Sequence, residues 1–151
     1  MIEGVFRTAL IATLPISELR GAIPYGVLVE KLPWLLAIVV SGVANLIPFF
    51  VIMTIAPHLE ILLNKNPYFK KKWLKLLESA RKRFLPYRKF GKWGILFFVG
   101  IPLPFTGVWT GSLACWLLGF SIKESLAHIL GGVAMATVIV AIATKLGGQL
   151  L

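Results

Sequence analysis

The sequence holds a single cysteine, Cys115, so no internal disulfide can form and no redox compartment is written into it. Its neighbours Ala114, Trp116 and Leu117 suggest a small buried apolar residue. There are two histidines and six acidic residues in 151. No His or Cys cluster has metal-ligand spacing, and there is no paired-carboxylate site, nucleophile elbow or phosphate-cradling loop. These absences argue against an enzyme, including a membrane phosphatase or protease, and no cofactor or metal is expected. The N-terminus also lacks a convincing signal peptide. Glu3 weakens the basic leader, and Glu18 with Arg20 stands where a small-residue cleavage site would be expected. Retention of the N-terminus follows as an expectation.

Charge is missing from long stretches. Pro33 to Pro57 is 25 residues without a charge, and Leu126 to Thr144 is a second such run. A helix needs about 20 residues to cross about 30 Å of hydrocarbon. The chain is 58% hydrophobic with a mean hydropathy of +0.85, which a soluble domain of this length rarely reaches. The class is an integral membrane protein, and the length suits one domain.

What charge there is lies in one place. Of 16 Lys and Arg residues, 11 fall between Lys65 and Lys92, with Glu78 as the only acid among them. In a membrane protein a short basic loop marks the cytoplasmic side. The net charge of +10 is therefore topological rather than a sign of nucleic-acid binding, and its natural partners are anionic lipid head groups. Asn66-Pro67 reads as a helix start, an N-cap followed by proline at the first position. Phe69, Trp73, Leu76, Leu77, Ala80 and Phe84 then recur on one face, with Lys70, Lys71, Lys72, Lys75, Arg81 and Lys82 on the others. That is a basic amphipathic helix lying in the membrane interface.

Two stretches break the membrane pattern. Leu14-Pro-Ile-Ser-Glu-Leu-Arg-Gly-Ala-Ile-Pro-Tyr-Gly26 sets Glu18 and Arg20 between Pro15 and Pro24, with Gly21 and Gly26 close by. Charges at bilayer depth cost about 2.5 to 3.5 kcal/mol each on insertion scales, and proline removes a backbone donor. The charge-free pieces on either side, Thr8 to Ser17 and Gly21 to Val29, each reach about half the hydrocarbon thickness. The pattern predicts two half-length helices meeting at a turn near Glu18 to Gly21. Such a re-entrant hairpin is tolerated where its turn is buried in protein or lines a cavity. The second stretch is Ile101-Pro-Leu-Pro-Phe-Thr-Gly-Val-Trp-Thr-Gly111, in the middle of 29 charge-free residues from Gly94 to Ile122. Pro102, Pro104, Gly107 and Gly111 repeat the grammar of the first break without its charges. Gly107 and Gly111 also have the G-x-x-x-G spacing of close helix approach.

The order is thus broken hairpin, span, amphipathic linker, broken segment, span. Repeat 1 covers about residues 4–58, the linker 59–92 and repeat 2 about 93–147. The expected fold is an all-α integral membrane protein. It has two re-entrant helical hairpins and two full transmembrane helices as an inverted repeat, with an interfacial amphipathic helix between the halves. With the linker cytoplasmic, both termini lie outside. Paired breaks in corresponding positions point to a transporter site near the midplane. The rival arrangement is four ordinary kinked spans with both termini inside.

Glu18-Leu-Arg-Gly-Ala-Ile-Pro24 and Pro102-Leu-Pro-Phe-Thr-Gly107 resemble the two signature stretches of the small multidrug export protein family. That family is similar to the DedA, or VTT, superfamily of membrane proteins with opposed re-entrant helices. The resemblance implies an export or lipid-translocation role in the cell membrane. The residues themselves suggest how. Arg20 stays charged and matches phosphate or carboxylate oxygens bidentately. Desolvation would favour the protonated form of Glu18 and let it carry a proton, which Arg20 nearby opposes. Thr106 and Thr110 would supply hydroxyls from the opposite hairpin, and half-helix N-termini would help hold an anion. The expected function is a proton-coupled transporter of a small amphiphile or anionic lipid head group. The alternative is a non-transporting membrane-homeostasis or assembly protein in which Glu18 and Arg20 form a structural pair. A chain with so few crossings is expected to form a homo-oligomer.

Overall fold

The computed structural model describes residues 1–103 and 106–148, so Pro104 lies outside the described residues. Among them every regular element is helical. The order is α1 (Ile2–Thr13), α2 (Glu18–Pro24) running into a π-helical turn (Tyr25–Val29), α3 (Trp34–Ala44) and α4 (Ile47–Asn64). Then follow α5 (Pro67–Phe84), a 3-10 segment (Leu85–Phe90), α6 (Gly91–Gly100), α7 (Val108–Leu117) and α8 (Ile122–Gly148).

Helices α1 and α2 form an antiparallel hairpin. Gly4 faces Glu30, Thr8 packs on Gly26 and Ile11 lies against Gly21. A Cβ on Gly26 would sit 2.9 Å from the Thr8 methyl, so glycine sets this approach. The turn is at residues 14–17, earlier than the Glu18 to Gly21 expected from the charges. The cause is Pro15. Its ring disfavours helical geometry in the residue before it, and Leu14 is extended at φ −74°, ψ 137°. Glu18 to Gly21 therefore belongs to the first turn of α2. At the other end Pro24 cannot donate to the ladder, and the helix widens into its π turn directly afterwards. The open end of the hairpin is polar. Arg7 pairs with Glu3 and lies 3.5 Å from Glu30, which also accepts from the Tyr25 hydroxyl at 2.7 Å.

Among the described residues two helices are long and apolar enough to cross a membrane. One is the run Trp34–Asn64, 31 residues containing an 18-residue stretch of mean hydropathy 2.5, interrupted only by a turn where α3 hands over to α4. Pro48 in the first turn of α4 accounts for that interruption. The helix continues through Pro57, where the charge-free run ended, so the span is one to two turns longer than expected. The other is α8, 27 residues containing an 18-residue stretch of mean hydropathy 2.2. At 1.5 Å per residue they reach about 46 and 40 Å, more than the hydrocarbon requires. Leu35, Val43, Val138 and Ile142 lie more than half exposed on their outer faces. Apolar surface of this extent suits lipid rather than water.

Helices α6 and α7 form the second broken pair. The break is shorter than the sequence suggested, because Gly107 is already the N-cap of α7 and Gly111 sits one turn inside it. There Gly111 faces Val99 of α6 and Ile129 of α8. Helix α8 runs parallel to α6, with Leu96 against Gly131, Val99 against Gly132 and Gly100 against Met135. The core between the two hairpins holds Leu19, Ile23, Phe49, Val99, Val108 and Ile129. Helix α8 starts at the open end of α6–α7, five residues after Leu117, and finishes with Gly148 beside Leu28 at the open end of α1–α2. The two pairs thus open toward opposite ends of α8, and their turns meet between.

Helix α5 starts as the sequence signals it, with the Asn66 side chain accepting from the Tyr68 N–H at 3.0 Å. It lies against the far end of α7, where Trp73 packs on Trp116.

Candidate functional site

The site is the place where the turn of α1–α2 meets the break of α6–α7. Glu18 begins α2 with φ +44°, in the left-handed region that costs a non-glycine residue about 1 to 2 kcal/mol. This backbone aims its side chain away from its own helix and into the protein, where the residue is only 5% exposed. The carboxylate reaches the N-terminus of α7. Its Oε1 lies 3.5 Å from the Trp109 N–H. It also fills the space beside Gly107, where a Cβ would sit 1.9 Å from Oε2. Gly107 has φ +144°, outside the range L side chains adopt readily, and offers α7 no side-chain cap of its own. Glu18 takes that role from the opposite hairpin. A carboxylate at a helix N-terminus meets both the orphan N–H groups and the positive end of the helix dipole.

Arg20 lies in the first turn of α2 and is half-buried. Its Nη1 donates to the Leu103 carbonyl at 2.6 Å, inside the second break. The reverse contact comes from Trp109, whose indole N–H donates at 2.9 Å to the Thr13 carbonyl at the end of α1. Each break leaves backbone groups that its own helices cannot satisfy, and the other tip satisfies them. Among the described residues no ion pair joins Glu18 to Arg20. In place of the pair that the alternative reading supposed, two side chains each grip the facing hairpin.

The remaining sequence candidates fall into three groups. Thr106 and Thr110 are engaged locally. The Thr106 hydroxyl lies 2.8 Å from the carbonyls of Ile101 and Leu103, and Thr110 donates to Gly107 at 3.3 Å. They brace their own hairpin rather than presenting free hydroxyls. Pro15 is in the exposed first turn, Pro24 at the π turn and Pro102 in the second break. Gly21 and Gly111 do not break backbone at all. They lie inside helices, where a Cβ would sit 2.9 Å from Ser17 Cβ and 2.4 Å from Val99 Cγ2 respectively. Elsewhere in the core, Asn45 is 1% exposed with its Oδ1 unpartnered among the described residues.

Beside the tips lies an open cavity of about 440 Å³ lined by Arg20, Pro24, Leu28, Pro102, Val140 and Thr144 among others. Among the described residues Arg20 is its only charged wall, and most of the rest is apolar. A guanidinium at the edge of an apolar cleft of this size suits a molecule with an anionic head and an apolar body. The sequence pointed to Arg20 and Pro102 but not to the α8 wall. The Leu103 and Thr13 carbonyls carry no sequence signal, being backbone. Trp109 did carry one, since an indole N–H at membrane depth needs an acceptor.

Residues 18–139 match the model of a family described as "Putative small multi-drug export protein". The match opens on Glu18, just after the first turn, and covers the second break and most of α8. No curated protein and no solved structure matches the chain.

Proposed function

Because the chain belongs to the small multi-drug export protein family, an export class rather than a known enzyme class, we propose that it is a proton-coupled membrane transporter for small amphiphiles bearing an anionic group. The observation that carries this reading is the joint placement of Glu18 and Arg20. One is buried at the contact of two interrupted hairpins, and the other forms the charged wall of the adjoining apolar cavity.

In this reading the anionic end of the substrate replaces the Leu103 carbonyl on Arg20, and its apolar body lies along Pro24, Leu28 and α8. Ionised Glu18 holds the N-terminus of α7. When it takes up a proton it loses its attraction to that helix end, and the tips part. Proton uptake and tip opening are thereby one event. Two re-entrant hairpins opening to opposite faces would give the alternating access of an inverted-repeat transporter. The basic linker would lie on the cytoplasmic side of the cell membrane. A second copy of the chain, in a homo-oligomer, would shield the open side of the Arg20 cavity from lipid.

The test is flux in reconstituted vesicles. A short-chain fluorescent amphiphile with a phosphate head is loaded, and a pH gradient is imposed. The native chain should move it faster with the gradient than without. Glu18→Gln should fold, bind the probe and lose the gradient dependence, and Arg20→Lys should weaken binding of the probe. Unchanged gradient-driven flux in Glu18→Gln defeats the coupling. The second reading, a non-transporting membrane protein, is favoured by one fact: Glu18 and Arg20 already have partners in the opposite hairpin. It requires that no flux of any probe respond to either substitution while stability falls with both.

A further inference from the structure

We propose that α5 is a docking helix for anionic lipid head groups, and that its hold on the membrane surface is passed to the end of α7 through Arg81. The proposal rests on the membrane placement of the two spans and not on transport.

Position comes first. Helix α5 follows directly on α4, where one apolar span ends at Asn64, and it lies against the end of α7, five residues before the other span begins at Ile122. The contacts are Trp73 on Trp116, with ring centroids 6.4 Å apart, and the Arg81 Nε–H donating to the Leu117 carbonyl at 3.1 Å. The helix therefore sits at the level where both spans leave the hydrocarbon. Its outward surface carries Lys70, Lys71, Lys72, Lys75 and Lys82, all exposed. Among the described residues no carboxylate pairs with them. Lys72 alone has a neighbour, the Tyr68 ring at 4.7 Å.

The apolar residues decide which polyanion fits. Phe69 and Leu74 are 50% and 45% exposed beside these lysines. A nucleic acid would leave Leu74 in water. A lipid surface takes the charged heads at its phosphates and the apolar side chains among its acyl chains.

Arg81 differs from the lysines. It is turned back onto the C-terminus of α7, where a cation meets the negative end of the helix dipole. A cavity of about 260 Å³ lined by Arg81, Leu85, Leu118 and Gly119 adjoins it. The cavity has room for a head-group oxygen, which would compete with the Leu117 carbonyl for the guanidinium. The other end of α7 is held by Glu18. Helix α7 is thus gripped at both ends by other elements, and a lipid that draws Arg81 away loosens one of the two.

The test uses the full chain in a Cys115→Ala background, in vesicles of phosphatidylcholine alone or mixed with phosphatidylglycerol. Ser79→Cys on α5 and Leu118→Cys beside α7 each carry an environment-sensitive fluorophore. Both labels should respond to phosphatidylglycerol and lose the response at high salt. Replacing Lys70 or Lys75 by Gln should raise the anionic lipid needed about fivefold each. Arg81→Gln should abolish the response at residue 118 and keep it at residue 79. The proposal is overturned by an equal response in phosphatidylcholine alone, or by a response to added RNA with none to phosphatidylglycerol. A response at residue 118 that survives Arg81→Gln overturns the transmission.

Discussion

Hairpin α1–α2 brings its chemistry to the site in side chains, whereas α6–α7 brings backbone. The first tip offers a carboxylate and a guanidinium. The second offers N–H groups at the start of α7 and the Leu103 carbonyl, kept accessible by Gly107 and by the local bracing of Thr106. Both have a proline after the first helix, Pro15 in one and Pro102 in the other. The contrast teaches that similar breaks need not have similar contents. One break exposes unsatisfied backbone, and the other supplies the charges that satisfy it. If the breaks lie at membrane depth, neither arrangement is tolerable alone, since water is not there to complete either set.

If that division of labour is right, removing the room for Glu18 should cost most. Gly107→Ala adds a Cβ at 1.9 Å from the carboxylate and forces a strained φ. A loss of about 3 kcal/mol is expected, read as a large drop in thermal midpoint in detergent. A midpoint near that of the native chain would mean the tips do not meet as described. Next comes Gly111→Ala, which drives a Cβ to 2.4 Å from Val99. It should cost about 2 kcal/mol, and Val99→Ala in the same chain should recover part of it. No recovery would place the strain elsewhere.

The side-chain half of the comparison is sharpened at Glu18. Glu18→Ala should lose about 1 kcal/mol by uncapping α7, and Glu18→Gln, which keeps an acceptor oxygen but not the charge, should lose a smaller part of it. Native stability in Glu18→Gln would show that the acceptor alone, not the charge, holds α7, and would contradict the parting of the tips on proton uptake. Trp109→Phe should have the smallest effect, about 0.6 kcal/mol for one interhelical hydrogen bond in a membrane. Proteolysis at the α1–α2 turn is a second readout, and it should rise only slightly.

Much of this architecture was legible in the residues. Long charge-free runs marked both spans, and Asn66-Pro67 marked the start of α5. The family was legible too, in the stretches around Glu18 and Pro102. The first turn falls earlier than the charges suggest because Pro15 acts on Leu14, the residue before it. Gly21 and Gly111 lie inside helices, and glycine in a strip of membrane sequence serves either a turn or a close packing contact. Only the partner across the interface decides which. The partners of Glu18 and Arg20 were hidden for a plainer reason: they are backbone groups 91 and 83 residues away, and main-chain atoms have no residue type to read.

The most direct measurement is the sidedness of three points: residue 1, a loop site beside α5 such as Lys65, and Lys145. A compartment-sensitive reporter is placed at each in turn, in the intact chain. Two opposed half-depth hairpins require both end positions on one side and Lys65 on the other, because only Trp34–Asn64 and α8 then cross. All three on the same side would mean that α1–α2 and α6–α7 also cross. The account of two tips meeting within the membrane would then be wrong.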